Sequence, residues 1–333
     1  MSNSRRFASA EEVARLAGVS RSAVSRTFTD GASVSEETRQ KVLAAAKELN
    51  YHVNHLARGL SQERSRPVCL VGDHLSSPFL SSLLEAVSRH IQALGRAVML
   101  INTSGEAEAV ESALHQALQY RASAIVVLSG TPAESLVQTC IQSGLRVALV
   151  NRGQEFNGPI HITLDHDTAM KEAFELFYRA GCRSFGLVTS TAGTPSLVAR
   201  EQAFSRAVNE AGLPLTVMRT GPTQYTTGQE AARQLLARSQ RPDAVFCTTD
   251  LMACGFLDTA RQAFNLNIPH DLCVMGFDNI EQASWDSYAL TTFHHPVEEI
   301  AACIARQLDD ESTTSQVIQF PAQPVWRNTI RPG

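Results

Sequence analysis

The stretch Val13-Ala14-Arg15-Leu16-Ala17-Gly18-Val19-Ser20-Arg21-Ser22-Ala23-Val24-Ser25-Arg26 decides the fold of the N-terminal part of the chain. Just ahead of it, Ser9-Ala10-Glu11-Glu12 is a capping box, a serine N-cap with a glutamate three residues on. The helix begun there carries Val13, Leu16 and Ala17 on one face and stops at Gly18, where a helix end needs positive φ. Ser20 then caps a second short helix, with Val24 and Phe28 four apart on its inner side. Two helices so closely spaced predict a helix-turn-helix. Small Ala14 and Ala17 let the second helix cross closely over the first, and Val19 plugs the angle between them. Asp30-Gly31 ends the unit, and Ser35 caps a third helix whose Val42, Leu43, Ala46 and Leu49 close a small core.

A plain three-helix unit would share much of this spacing. The start of the second helix tips the reading toward nucleic acid, because Arg21 and Ser22 project there and Arg26 follows about one turn later. In a helix-turn-helix those positions meet base edges in the major groove. Arginine suits guanine O6 and N7, and serine accepts several partners. Charge agrees. The 333-residue chain has net charge −4, but residues 1–66 carry eleven basic and seven acidic side chains, a net +4, which leaves −8 for the rest. A basic head on an acidic body is the distribution a DNA-binding protein needs.

Composition removes other classes. With 44% hydrophobic and 19% charged residues the chain is not disordered, and its length suits two or three folding units. No apolar run approaches the ~18 residues of a membrane span. Met1 to Ala10 lacks the apolar centre of a signal peptide, so the expectation is a cytoplasmic protein with no membrane partner. Cys69, Cys140, Cys182, Cys247, Cys254, Cys273 and Cys303 are odd in number and scattered without C-x-x-C, which argues against a disulfide framework and a zinc site.

From Pro67 onward, short apolar runs alternate with helical patterns. Strands are predicted at 69–72, 97–101, 124–128, 146–150, 161–164, 185–189, 215–219, 244–247 and 273–275, with helices between. Such alternation indicates parallel sheets covered by helices on both faces, and there are enough strands for two side-by-side Rossmann-like halves. No G-x-G-x-x-G follows the first strand, and no G-x-S-x-G, H-E-x-x-H or P-loop occurs, so neither a dinucleotide site nor a common catalytic motif is indicated. Ligands in such sheets bind beyond the carboxyl ends of the strands. The polar and aromatic residues there are Asp73, Phe79, Asn151-Arg152, Ser190, Thr194, Ser196, Arg200, Thr249-Asp250 and Asp278-Asn279. Charged and amide groups beside an aromatic face are what a monosaccharide site requires. Asp250 and Asp278 also read as helix N-caps, Arg200 as a surface ion-pair partner and Phe79 as core.

The head segments, with Val34-Ser35-Glu36-Glu37-Thr38-Arg39 and Glu48-Leu49-Asn50-Tyr51, resemble the LacI/GalR family of bacterial transcription regulators. In the body, Asn151-Arg152, Asp165, Arg200-x-x-x-Phe204, Thr249-Asp250-Leu251-Met252-Ala253-x-Gly255, Val274-Met275-Gly276-Phe277-Asp278-Asn279, Leu290-Thr291-Thr292 and Trp326-Arg327-Asn328-Thr329 are similar to the family's landmarks. The resemblance implies an all-α helix-turn-helix DNA-binding domain at 1–52, a hinge helix and linker at 53–66, and a periplasmic-binding-protein-like α/β core of two Rossmann-like subdomains at 67–333. The first subdomain would use about 67–162 and 293–320, the second about 163–292 and 321–330.

The resemblance further implies that 53–61 forms a helix only on operator DNA. Leu60 would wedge between base steps in the minor groove, kinking the duplex. Ala57 would lie beside it, and Asn54 and Arg58 would meet phosphate or sugar. A helix this short containing Gly59 does not hold by itself. The family's usual proline is replaced by Val53, which makes ordering of this segment costlier.

Carried over by position, the effector contacts would be Asp73, Phe79, Arg152, Ser196, Arg200, Thr249, Asp250, Asp278 and His295. The expectation is a homodimeric regulator, a repressor, acting on palindromic operator DNA in the cytoplasm, attached to the nucleoid through its operator. Its effector would be a sugar, sugar phosphate or sugar acid, with no cofactor, metal or catalytic residue. A C-terminal heptad segment is missing, which favours a dimer over a coiled-coil tetramer. The rival readings are a sugar-binding transport protein without DNA function, and an enzyme acting on a phosphosugar.

Overall fold

The computed structural model describes residues 7–29, 31–53, 66–103, 107–152, 156–310 and 315–332, and the chain forms two compact units, Met1–Arg66 and Pro67–Gly333.

The first unit contains α1 (Ala10–Ala17), α2 (Arg21–Thr27) and α3 (Glu36–Glu48). The capping box is complete: Ser9 Oγ accepts the Glu12 N–H at 3.2 Å, and the Glu12 carboxylate accepts the Ser9 N–H at 2.7 Å. Ser20 and Ser35 cap the next two helices through the N–H groups of Ala23 and Thr38. Gly18 has φ 67° and open space where a β-carbon would sit, so backbone conformation alone asks for glycine there. Val13, Ala14, Val24, Val42, Ala45 and Ala46 are buried together, and Ala17, Val19, Phe28, Leu49 and Tyr51 pack around them. Leu16 and Leu43, expected in this core, are exposed. The reason is helical phase. Residues 42, 45, 46 and 49 share one stripe of α3, and Leu43 is turned about 100° from Val42. Ala45 fills the place expected of Leu43.

In the second unit, one six-stranded parallel sheet contains β1 (Val68–Gly72), β2 (Val98–Asn102), β3 (Ala124–Val127), β4 (Arg146–Val150), β5 (Ile160–Leu164) and β11 (Gln316–Phe320). Its order is β11-β5-β4-β3-β1-β2. A four-stranded parallel sheet contains β6 (Phe185–Thr189), β7 (Leu215–Arg219), β8 (Ala244–Cys247) and β9 (Cys273–Met275), in the order β7-β6-β8-β9. Central strands such as Val68–Gly72 and Phe185–Thr189 are buried along their whole length, which is why they read as unbroken apolar runs. The connecting helices are α4 (Pro78–Ala93), α5 (Ala107–Gln119), α6 (Glu134–Gln142), α7 (His166–Arg179), α8 (Pro195–Glu210), α9 (Tyr225–Leu236), α10 (Asp250–Gln262) and α11 (Val297–Asp309).

The chain passes between the two sheets three times. It leaves the first after Leu164, returns through β10 (Thr292–His294) to α11 and β11, and crosses once more through β12 (Gln323–Val325). β10 and β12 pair antiparallel as a ribbon of their own, with Thr292 opposite Val325. These last three strands are the ones the apolar-run reading did not find. β11 alternates half-buried and exposed residues at a sheet edge, and β10 and β12 are three residues long.

Candidate functional site

The second crossover gathers the chemistry. After β9 the chain runs through Gly276 and Phe277 to Asp278, whose φ is 121°, followed by Asn279 at φ 52°. L-residues adopt the first of these only at a cost of order 1–3 kcal/mol, and such strain collects at functional positions. The strain is held by the neighbouring ribbon, where the Asp278 N–H donates to the Phe293 carbonyl at 3.0 Å. The Asp278 carboxylate is thereby turned toward α8 and toward the segment that opens α11.

Arg200, on α8, is 3% exposed. Its Nη1 donates to the Thr248 carbonyl at 2.7 Å and to Asp278 Oδ1 at 3.3 Å, and its guanidinium lies 3.7 Å above the Phe277 ring. His295, fully buried, places Nε2 3.0 Å from Asp278 Oδ1 and 3.2 Å from Arg200 Nη2. Phe79, from the first turn of α4, covers the His295 ring at 4.2 Å. Four of the sequence-designated residues therefore form one cluster, Arg200, Asp278 and His295 in mutual contact and Phe79 against His295, although up to 95 residues separate the hydrogen-bonded partners.

Burial dominates the titration of this cluster. It raises the Asp278 carboxyl to about 7 against the opposing pull of Arg200. Burial, and next the Arg200 cation, hold His295 well below the ordinary imidazole range. Both rings of the site are thus neutral near pH 7, since His166 is brought down to about 2 by burial and the same cation. His166 opens α7 and lies 5.9 Å from the Phe277 ring. Sequence reasoning missed it, although it follows a strand end directly and the strand-end rule would have reached it.

Three buried nitrogens here have no partner: Arg200 Nε, His295 Nδ1 and His166 Nδ1. Buried polar atoms without partners are costly, and each of these three nitrogens can still pair with a further polar group. His295 adds a further property. Its Nε2 cannot donate to a carboxylate and accept from a guanidinium at once, so each choice fixes Nδ1 in the opposite role. The site can offer either a donor or an acceptor, which matches the dual character of a hydroxyl group.

The remaining designated residues lie elsewhere or are occupied. Arg152 donates through Nε, Nη1 and Nη2 to the carbonyls of Val150, Gly130 and Leu128, at 2.6, 3.0 and 3.0 Å. It ties together the ends of β3 and β4, and burial lowers it to about 10 despite the charge of Asp73. In this structure it acts as a strap across the strand ends. Asp250 is occupied likewise. It is fully buried, with Oδ1 accepting from the Thr292 hydroxyl at 2.5 Å and Oδ2 from the Ile280 N–H at 3.0 Å. Burial and the neighbouring Asp278 charge raise it to about 7. It fastens β10 to α10. Nor is it an N-cap; Thr249 is, accepting from the Met252 N–H. Asp73, half-buried beyond β1, anchors its N–H on Ser129 Oγ at 2.5 Å, and Ser196 is half-buried in the first turn of α8.

In the first unit, Arg21, Ser22 and Arg26 are exposed on α2, the Ser22 hydroxyl lying 2.9 Å from Ser20 Oγ. Asn54, Ala57, Arg58 and Leu60 lie outside the described residues. Val53, which is described, is half-buried. Among the described residues no group of histidine, cysteine and carboxylate side chains could hold a metal, and no helix is long and apolar enough to cross a membrane.

Set beside known proteins, residues 10–54 match the family described as bacterial regulatory proteins, lacI family, and residues 174–330 match the periplasmic binding protein-like domain. The ribose operon repressor of Escherichia coli is 32% identical over 298 residues, spanning 88% of this chain and 90% of its own length. Catabolite control protein A of Priestia megaterium is 28% identical over 327 residues, spanning 96% and 98%. In three dimensions, the lac repressor dimer bound to operator and the anti-inducer ONPF superposes with TM-score 0.86 at 22% identity, over 98% of this chain and all of the other.

Proposed function

The chain belongs to the LacI family of bacterial regulatory proteins, and on that premise we propose that it is a repressor whose operator affinity is set by a sugar or sugar derivative bound at Arg200, Asp278 and His295. It is a DNA-binding transcriptional regulator that works as a homodimer on operator DNA, and its relatives are regulators rather than enzymes. The observation that carries the effector reading is the buried cluster at the second crossover, with its three unpartnered nitrogens. It joins groups from both sheets: Arg200 and Asp278 follow the four-stranded sheet, whereas Phe79 and His295 open helices that cover the six-stranded one.

The mechanism is linkage. A ligand that pairs the free nitrogens and rests against Phe79 favours one relative setting of the two halves, which the three crossovers at 164–166, 292–295 and 320–323 allow to change. The effector shifts operator affinity only by its different affinity for the two settings. Domain limits at 52–53, 66–67, 162–163, 292–293 and 320–321 belong to this proposal, as does docking of 53–61 on DNA through Asn54, Ala57, Arg58 and Leu60. Arg21, Ser22 and Arg26 are assigned to base edges, and two such heads about a two-fold axis read a palindrome.

A thermal-shift screen of neutral sugars, sugar phosphates and sugar acids tests the reading. A sugar that raises the melting temperature of the native protein and not of Arg200→Ala supports it, and equal shifts in both would place the ligand elsewhere. DNA selected in vitro identifies the operator; recovery of sequences without a palindrome would refute the dimeric reading mode.

A further inference from the structure

Asp278 reaches the effector cluster from a strained turn. Between Phe277 and Ile280 both intervening residues have positive φ, 121° at Asp278 and 52° at Asn279. One residue from outside the turn spans it. Asp250, the first residue of α10, donates its N–H to the Phe277 carbonyl at 2.7 Å, ahead of the strained pair. Behind the pair, its Oδ2 accepts the Ile280 N–H at 3.0 Å. Its Oδ1 accepts the Thr292 hydroxyl at 2.5 Å, next to Phe293, whose carbonyl receives the Asp278 N–H. A carboxylate in the first turn of a helix ordinarily serves that helix's own amides. Here Thr249 does so, and both Asp250 oxygens bind other segments.

We propose that Asp250 is a positioning residue of the effector cluster, acting through Asp278: it clamps the 277–280 turn against the crossover strand β10 and so keeps the Asp278 carboxylate between Arg200 and His295. The role given to Asp278 rests on the effector reading; the clamp does not. Gly276 is a second, independent mark of it. A β-carbon at 276 would stand 2.1 Å from Asp250 Oδ1, far inside van der Waals contact. No positive φ occurs at this glycine, so the space taken by the carboxylate, rather than backbone conformation, excludes a side chain. Arg327 also reaches the turn, but through the Asn279 side chain, at 2.7 Å.

The ring of His295 reports where Asp278 stands. Its Nε2 lies 3.0 Å from Asp278 Oδ1 and 3.2 Å from Arg200 Nη2. An ionised carboxylate only accepts, and a guanidinium only donates. With Asp278 in place, the nearer carboxylate takes the Nε2 proton and Nδ1 is bare. With Asp278 displaced, Arg200 is the remaining partner, Nε2 must accept, and the proton moves to Nδ1. Loss of stability alone does not move a proton between ring nitrogens. The tautomer therefore separates a positioning role from a purely structural one.

The test follows the imidazole nitrogen resonances of the full-length, histidine-labelled protein without any sugar, at pH 8, where the Asp278 carboxyl, raised by burial to about 7, is ionised. His295→Gln identifies the His295 signals. Thr292→Val keeps the shape of the side chain and removes its hydroxyl, and Gly276→Ala drives a methyl group at the same Asp250 oxygen from another side. The expected result is a proton on Nε2 in the native protein and a several-fold rise of the Nδ1–H form in both variants. His90 and His115, on α4 and α5, should not move. Thr292→Ser, which keeps the hydroxyl, should give the native pattern. Urea unfolding confirms that each variant is folded, and either one alone suffices. A native ring protonated on Nδ1, a native tautomer retained in the folded variants, or a change in Thr292→Ser as large as in Thr292→Val would each overturn the proposal. No sugar is present, so a failed sugar screen would remove the effector reading and leave these outcomes standing.

Discussion

The head and the core place function on opposite sides of their surfaces. In the head, the residues assigned to DNA are exposed on α2, and the packing beneath them is six small or branched side chains with three serine caps. In the core, Arg200, Asp278 and His295 are buried and also join elements distant in sequence. A surface reader can change its contacts without touching its fold. A buried sensor of the kind proposed cannot, because each of its side chains would be at once a ligand contact and a structural tie. The two regions should therefore answer substitution in different quantities: the head in affinity, the core in stability and affinity together.

The largest expected effect is in the core. Arg200→Ala leaves the buried Asp278 carboxylate without its cation and should cost about 3–5 kcal/mol of core stability, measured by urea denaturation. A loss below about 1 kcal/mol would mean that the pair is not a structural tie, and the contrast between the regions would fail. The second effect is a pH dependence confined to the core. Asp250 and Asp278 titrate near 7 in the folded protein and near their ordinary 3.8 unfolded, so their contribution is fully present below about 4 and is lost as pH rises through 7. His295 and His166, lowered on folding, act in the opposite sense, and their contribution is present above 6.5 and lost as pH falls. Asp278→Asn should flatten the decline in core stability between pH 6 and 8 seen by calorimetry; an unchanged slope would remove Asp278 from this balance.

The smaller effects lie in the head and its linker. Arg26→Ala should weaken operator binding by about 1–3 kcal/mol and relax one base preference, with the unfolding curve unmoved. Equal loss on every DNA sequence would make Arg26 a phosphate contact instead. Smallest is Val53→Pro, which presets φ at the first position of the linker and should tighten operator binding by about 0.4–1 kcal/mol. Weaker binding would show that the linker does not start a helix at this point.

The same contrast governs what could be read from the sequence. The head was legible nearly residue by residue, because capping, helix period and turn chemistry act over three or four positions. Its errors, Leu16 and Leu43, were errors of helical phase, which depends on where the neighbouring helices lie. In the core, strand ends pointed to Asp278 and Arg200, and the family resemblance added His295. The sequence could not show which polar groups at those ends were already occupied. Arg152 and Asp250 have the right residue types in the right places, yet carbonyls, a hydroxyl and an amide consume them. The crossover strands at 292–294 and 323–325 escaped notice because three residues are too few for a pattern to repeat.

The central claim is that the buried cluster couples a small ligand to DNA. Its most direct measurement is operator affinity with and without a saturating sugar found in the thermal-shift screen, for the native protein and for Asp278→Asn. The expected affinity ratio is 5-fold or more for the native protein, on the order of an ordinary allosteric coupling of about 1–3 kcal/mol, and near one for the variant. An undiminished ratio in Asp278→Asn would contradict it.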